Sequence, residues 1–205
     1  MAIVAWASLI LQFYVIVTGQ GIVTPNYNPT LLTSIINFFS YFTILSNILA
    51  ALLTTFAVLA RGSDLGHFFA RPVVTATVAM ATVIVGIIYT TILRHLWEPQ
   101  GLQLVADVGL HYMMPVLFTI YWLAVVPKGA LRFGNVPVML VYPVIYGVYT
   151  LVRGPFADWY PYPFISVKDL GYPQTFTNIA GMLVLFAAVG AVLVLIDRGL
   201  ARVRA

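Results

Sequence analysis

Six apolar runs, near residues 2–18, 33–59, 73–93, 103–126, 135–152 and 176–197, occupy most of this 205-residue chain. Each approaches or exceeds the roughly 18 apolar residues that mark a helix able to cross the hydrocarbon core of a bilayer. Lipid offers no water to an open backbone, so runs of this kind fold as helices that close their own hydrogen bonds. Connections of about 8 to 22 residues leave no room for a soluble domain between them. The expected fold is all-α: a polytopic membrane protein of six transmembrane helices forming a single transmembrane domain over residues 1–205. Composition agrees, with 61% hydrophobic and only 8% charged residues and a mean hydropathy of +0.98, against about 25% charged in an ordinary soluble domain. The first run has no basic leader and no A-x-A-like exit before "TGQG". It is therefore expected to stay as a helix rather than to be removed as a signal peptide.

Charge then orients the chain. Arg61 and Arg71 follow the second run, Lys128 and Arg132 the fourth, and Arg198, Arg202 and Arg204 the sixth, while Arg94, Arg153 and Lys168 fall on the opposite side. Seven basic residues against three predict, by the positive-inside rule, that both termini are cytoplasmic. The uncharged connection "GQGIVTPNYNPTL" and the long segment 153–175 are then expected outside. Within the latter, "RGPFADWYPYPF" carries Pro155, Pro161 and Pro163 among aromatics. It reads as a non-helical interfacial segment and a candidate lid. The net charge of +4 is scattered singly or along membrane edges, so it argues for orientation and against nucleic-acid binding. With no cysteine, thiolate metal sites and thiol nucleophiles are excluded.

The second run holds Asn37, Ser40, Thr43, Ser46 and Asn47 within eleven residues. On one continuous helix Ser40, Thr43, Asn47 and Thr54 share an arc of roughly 60°, whereas Ser46 and Asn37 point off that face as helix contacts. The stripe either bonds to its own helix and a neighbour, the usual fate of such residues, or lines a site. The fourth run carries Asp107 and His111, four apart on one face, and ionisable residues at that depth are functional candidates. They either satisfy each other across one turn or act together on a third group. Counting 1.5 Å per residue puts His111 roughly 12 Å and Thr43 roughly 15 Å below the outer surface, so the two can meet. In the fifth run Asn135, Tyr142, Tyr146, Tyr149 and Arg153 project within roughly 60° of one another. That face is either a tyrosine seam with a snorkelling arginine or a set of phenol donors with a guanidinium for a carboxylate or phosphate. The third run, with Thr75, Ala79, Thr82, Gly86 and Tyr89, reads as a close-packing seam without chemistry.

No G-x-S-x-G elbow, H-E-x-x-H, P-loop or dinucleotide fingerprint occurs. In the expected topology His67 is cytoplasmic, His95 lies at the outer rim and only His111 is buried. Asp107 with His111 supplies two ligands, short of the three or four that zinc takes; no metal and no cofactor are expected. What is available is a hydroxyl paired with an imidazole: Thr43 or Ser40 as nucleophile, His111 as base and Asp107 as its orienter.

The elements "FFSYFTILSN", "LHYMMPVLFTIYWL", "YPVIYGVYTLVRG" and "WYPYPFISV...GY" together resemble the bacterial branch of the androgen-induced (AIG/ADTRP-like) membrane protein family. Its animal members are six-helix hydrolases of fatty acid esters of hydroxy fatty acids. The resemblance spans nearly the whole chain and implies an intramembrane threonine nucleophile at Thr43, within Tyr41-Phe42-Thr43, and its histidine at His111. Asp107 as a third member comes from the residues, not from the family. The expected function is a threonine-dependent lipid-ester hydrolase in a bacterial plasma membrane, taking its substrate from the bilayer. Ser40, Asn47 and Tyr146 are the candidate oxyanion donors, Tyr142 and Tyr149 line the same face, and Arg153 is the expected anchor for a free carboxylate. The alternative is a non-enzymatic lipid or sterol binder, or a proton-coupled carrier using Asp107 and His111 as a relay.

Overall fold

The computed structural model describes residues 1–20 and 29–204, Arg204 without its side chain. The connection expected outside after the first run falls largely on residues 21–28, beyond those described, as does the side chain of Arg204. Among the described residues there are nine α-helices and no strand: α1 (Ala2–Val17), α2 (Leu31–Phe38), α3 (Phe42–Leu59), α4 (Asp64–Phe69), α5 (Pro72–Thr91), α6 (Gly101–Val108), α7 (Met114–Ala124), α8 (Val136–Ala157) and α9 (Val167–Arg204). A π-helical turn, Gly109–Met113, joins α6 to α7, and 3-10 turns occupy Leu93–His95, Phe133–Asn135 and Pro163–Ile165. Five helical stretches are long and apolar enough to cross a membrane: Phe42–Leu59, Pro72–His95, Gly101–Ala124, Phe133–Ala157 and Val167–Val203. The first helix, Ala2–Val17, is apolar but only 16 residues long. An all-helical fold with several such helices fits an integral membrane protein. On α8, Val138, Val141, Ile145, Val148 and Val152 recur every three or four residues and are all exposed. Such a stripe is unfavourable against water and at home against lipid.

Three elements differ from the sequence-based expectation. The run 33–59 is not one helix but α2 and α3, broken at residues 39–41. The Ser40 N–H turns back to the Asn37 carbonyl (2.9 Å) and its hydroxyl takes over the Ile36 carbonyl (2.7 Å), so Ser40 closes α2 instead of continuing it. Tyr41 is extended (φ −82, ψ 129) and α3 starts after it. The depth count along a single helix therefore does not apply to Thr43. The run 103–126 passes through the π turn, because Pro115 has no N–H for the His111 carbonyl and its ring excludes the ordinary turn. Finally, 153–175 is not an open loop: α8 continues through Pro155 to Ala157, and α9 begins at Val167. Pro155 stands in the last turn of α8 after Gly154, and Pro143 is carried inside the same helix after Tyr142. In α9 the helix is interrupted at Gly171, whose φ of 72 lies in the left-handed region that glycine alone adopts freely.

The chain divides into two compact units, Met1–Arg71 with Ala81–Val126, and Pro72–Met80 with Pro127–Ala205. In the first, α1 packs on α2, α3, α6 and the π turn. Polar ties hold it there: the Trp6 indole donates to Thr55 Oγ1 (3.0 Å), and the amides of Gln12 and Gln103 bond reciprocally (3.2 and 2.9 Å). A Cβ at Gly109 would stand 2.2 Å from Ser8 Oγ and 2.9 Å from Ser8 Cβ, so α1 reaches the π turn only because residue 109 is glycine. Gly109→Ala is expected to cost about 1–3 kcal/mol through overpacking, and Ser8→Gly in the same protein to return part of it. Thermal unfolding of the two variants in detergent checks this; full stability of the single variant would refute it. In the second unit α8 packs along α9. Buried Asp197 accepts from the backbone N–H groups of Gly129 and Leu131, both at 2.9 Å.

Candidate functional site

The site grows from Pro115. The π turn directs the Met114 N–H to the Gly109 carbonyl, and Pro115, next along, has no N–H to give. The Leu110 carbonyl is thus left without a donor from its own helix, in a setting where an unsatisfied carbonyl is costly. Asn47 of α3 supplies it. Its Nδ2 donates to Leu110 O (3.3 Å) and to Thr43 O (2.8 Å). One amide nitrogen thereby ties the backbone of Thr43 to the residue before His111, and the two carbonyl oxygens can be no farther apart than those two bonds laid end to end. Thr43 and Asn47 are both buried, Thr43 in the first turn of α3.

His111 is held by its own turn and by α5. Its Nδ1 lies 3.2 Å from the backbone carbonyl of Asp107 and 3.0 Å from Asp107 Oδ1. A backbone carbonyl only accepts, so in this contact it is Nδ1 that donates. Oδ1 is close to Nδ1 yet has no aligned hydrogen-bond donor. The N–H therefore points at the carbonyl, and the carboxylate oxygen Oδ1 stands beside it. The other carboxylate oxygen, Oδ2, accepts from the Tyr89 hydroxyl. The Tyr89 ring also stacks on His111, with centroids 4.0 Å apart and planes at 15°, and Tyr112 packs edge-on against Tyr89. Asp107 is 1% exposed and Tyr89 3%, while the His111 side chain keeps 15%.

Of the residues singled out from sequence, Thr43, Asn47, Asp107 and His111 share the first unit and are linked as described. Asn47 and Ser40 do not have the form of the oxyanion donors expected of them. Both hydrogens of the Asn47 amide go to backbone carbonyls, and the Ser40 hydroxyl donates to Ile36. The physical reason is common to both: a broken or widened turn frees carbonyls that the nearest side-chain donor must satisfy. Thr54, last of the stripe, bonds back to Ala50 and Ala51 of its own helix. Asn37 and Ser46 are buried. Tyr142, Tyr146, Tyr149 and Arg153 belong to α8 in the second unit, where the Arg153 guanidinium lies 5.2 Å from the Trp159 ring centre, as a cation held over an aromatic face. Tyr89, read from sequence as part of a packing seam, is the member of the site that sequence reasoning missed. A signal existed, since a phenol deep in an apolar helix requires a partner and Asp107 lies on the next run.

Among the described residues the fold is all-helical, with helices long and apolar enough to cross a membrane, and the site is a Tyr89–Asp107–His111 group tied through Asn47 to Thr43 in the first turn of α3. No protein-family model, curated protein or solved structure matches the chain. The resemblance to the androgen-induced family rests on the sequence elements quoted above.

Proposed function

We propose that the protein is an intramembrane lipid-ester hydrolase with Thr43 as nucleophile and His111 as base, possessing six membrane spans with both termini cytoplasmic. The observation that carries this reading is the Asn47 tie, which links the backbone of the residue bearing the alcohol to the turn bearing the imidazole. Thr43 Oγ attacks the ester carbonyl carbon as its proton passes to His111 Nε2. The tetrahedral intermediate collapses, the C–O bond to the alcohol breaks, and the alkoxide leaves with that proton. Water, deprotonated by the same nitrogen, then cleaves the acyl-threonine, releasing the acid and restoring the hydroxyl. Thr43 lies in the first turn of α3, and the positive end of a helix dipole favours the negative charge that develops there. Asp107 holds the imidazole tautomer and steadies the imidazolium. Fatty acid esters of hydroxy fatty acids are the substrate class suggested by the family resemblance.

The test is covalent. A fluorophosphonate probe with a medium alkyl chain is expected to label the purified protein in detergent, with the modified peptide containing Thr43. Labelling confined to another residue, or none accompanied by no turnover of p-nitrophenyl or hydroxy-fatty-acid esters, would remove the assignment. The pairing of buried Asp107 with half-buried His111 also favours one second reading, a proton-coupled carrier. Flux in liposomes that depends on pH and disappears in Asp107→Asn would identify it.

The topology has its own check, since the chain has no cysteine and every introduced thiol is unique. Single cysteines at exposed Gly62 or Gly134 are expected to react with an impermeant maleimide only from the cytoplasmic face. A cysteine at exposed Gln100 is expected to react only from outside. Equal reaction of all three from one face would reject the arrangement.

A further inference from the structure

We propose that Tyr89 is a positioning residue for this hydrolysis: its phenol grips Asp107, and its ring lies flat on His111, so that the imidazole is fixed with Nε2 as the base. The inference rests on the hydrolase reading above for its chemistry, and on geometry for its substance. Asp107 has two oxygens with different tasks. Oδ2 accepts the Tyr89 hydroxyl, which prevents the carboxylate from rotating about its own axis, while Oδ1 is left beside His111 Nδ1 at 3.0 Å with no other donor. Without the phenol, the carboxylate is free to turn, and a buried oxygen loses its donor. The imidazole is constrained independently. Two rings stacked at 4.0 Å and 15° leave it little freedom about the Cβ–ring bond, and Tyr112 backs Tyr89 from its edge. The backbone acts in the same direction, because Gly86, one turn before Tyr89, has no side chain. A Cβ there would meet Pro115 at 3.0 Å, so this glycine lets α5 come close enough to the π turn for the phenol to reach Asp107. Tyr89 forms no bond and takes no proton in this scheme; it acts through Asp107 and His111.

The two contributions are separable. Tyr89→Phe keeps the stacked ring and removes the grip on Asp107; Tyr89→Leu removes both. In Tyr89→Phe, kcat is expected to fall about 10- to 100-fold with KM within about 2-fold, as the base is misoriented while substrate binding is untouched. In Tyr89→Leu the fall is larger. The decisive readout needs no substrate. In protein labelled with 15N-histidine, the His111 signal, assigned by its disappearance in His111→Gln, is expected to show Nδ1 protonated and Nε2 bare in the wild type. In Tyr89→Phe the Nδ1–H, bonded to the Asp107 carbonyl, is expected to remain while the His111 nitrogen signals move as Oδ1 turns away from Nδ1. A Tyr89→Phe protein with unchanged kcat and an unmoved His111 signal overturns the role of Tyr89 and leaves the hydrolase standing. A wild type that turns over no ester, together with a moved His111 signal in Tyr89→Phe, removes the hydrolase and supports the hold of Tyr89 on the imidazole.

Discussion

Thr43→Ala is expected to lower kcat for ester hydrolysis by at least about 10³-fold while the protein still folds. Where a nucleophile and its base act as a unit, loss of either removes nearly the whole covalent route, and what remains comes from binding and electrostatics alone. The alternative hydroxyl, Ser40, is poorly placed to substitute because its proton is directed to the Ile36 carbonyl, which closes α2. His111→Ala should therefore match Thr43→Ala, and the double variant should be no worse than either. Thr43→Ser should keep a measurable fraction, since it retains the hydroxyl but loses the methyl group that narrows its rotamers. The cost in stability is expected to be small, about 1 kcal/mol, so unfolding curves in detergent separate loss of chemistry from loss of fold. Full turnover in Thr43→Ala would mean that the nucleophile lies elsewhere.

The distinction between what was legible in the sequence and what was not follows the range of the forces involved. Hydropathy is a sum over about twenty neighbouring residues, so the five long apolar helices were visible from composition along the chain. Asp107 and His111 were visible as a pair because four residues is one helical turn, and local geometry alone brings them together. The break at 39–41 was not, because Ser40 can either continue a helix or cap one, and the choice depends on which carbonyl its hydroxyl satisfies. Nor was the use of Asn47. Its amide is committed by a carbonyl that only a π turn frees, and that turn follows from Pro115, sixty-eight positions later in the chain. Tyr89 was hidden for a related reason: its partner sits on another helix, and only the close approach permitted at Gly86 brings the two together. Pro155 misled in the opposite sense, because it falls in the last turn of α8, which ends two residues later at Ala157, where the helix is stopping in any case.

The largest expected effect on stability lies away from the site, at Asp197. This carboxylate is 2% exposed, and a single oxygen, Oδ2, accepts from the N–H groups of both Gly129 and Leu131. Those two donors belong to the segment between α7 and α8, which has no helical carbonyls of its own to use. Gly129 sits at φ 100, and a Cβ on it would stand 3.0 Å from Ala201 Cβ, so the segment is pressed against α9, with the Leu131 N–H buried there and Gly129 at its exposed edge. Asp197→Ala removes two charge-assisted bonds and strands the buried Leu131 N–H, and is expected to cost about 2–4 kcal/mol, since hydrogen bonds to charged groups contribute about 1.5–3 kcal/mol and the exposed Gly129 N–H can turn to water. Asp197→Asn keeps a carbonyl oxygen of the same reach and should cost about 1–2 kcal/mol, as two charge-assisted bonds become neutral ones. Measured by thermal unfolding in one detergent, the order wild type, Asn, Ala is the prediction, with ester turnover per folded molecule unchanged in both. An alanine variant as stable as wild type would show that the acceptor is dispensable.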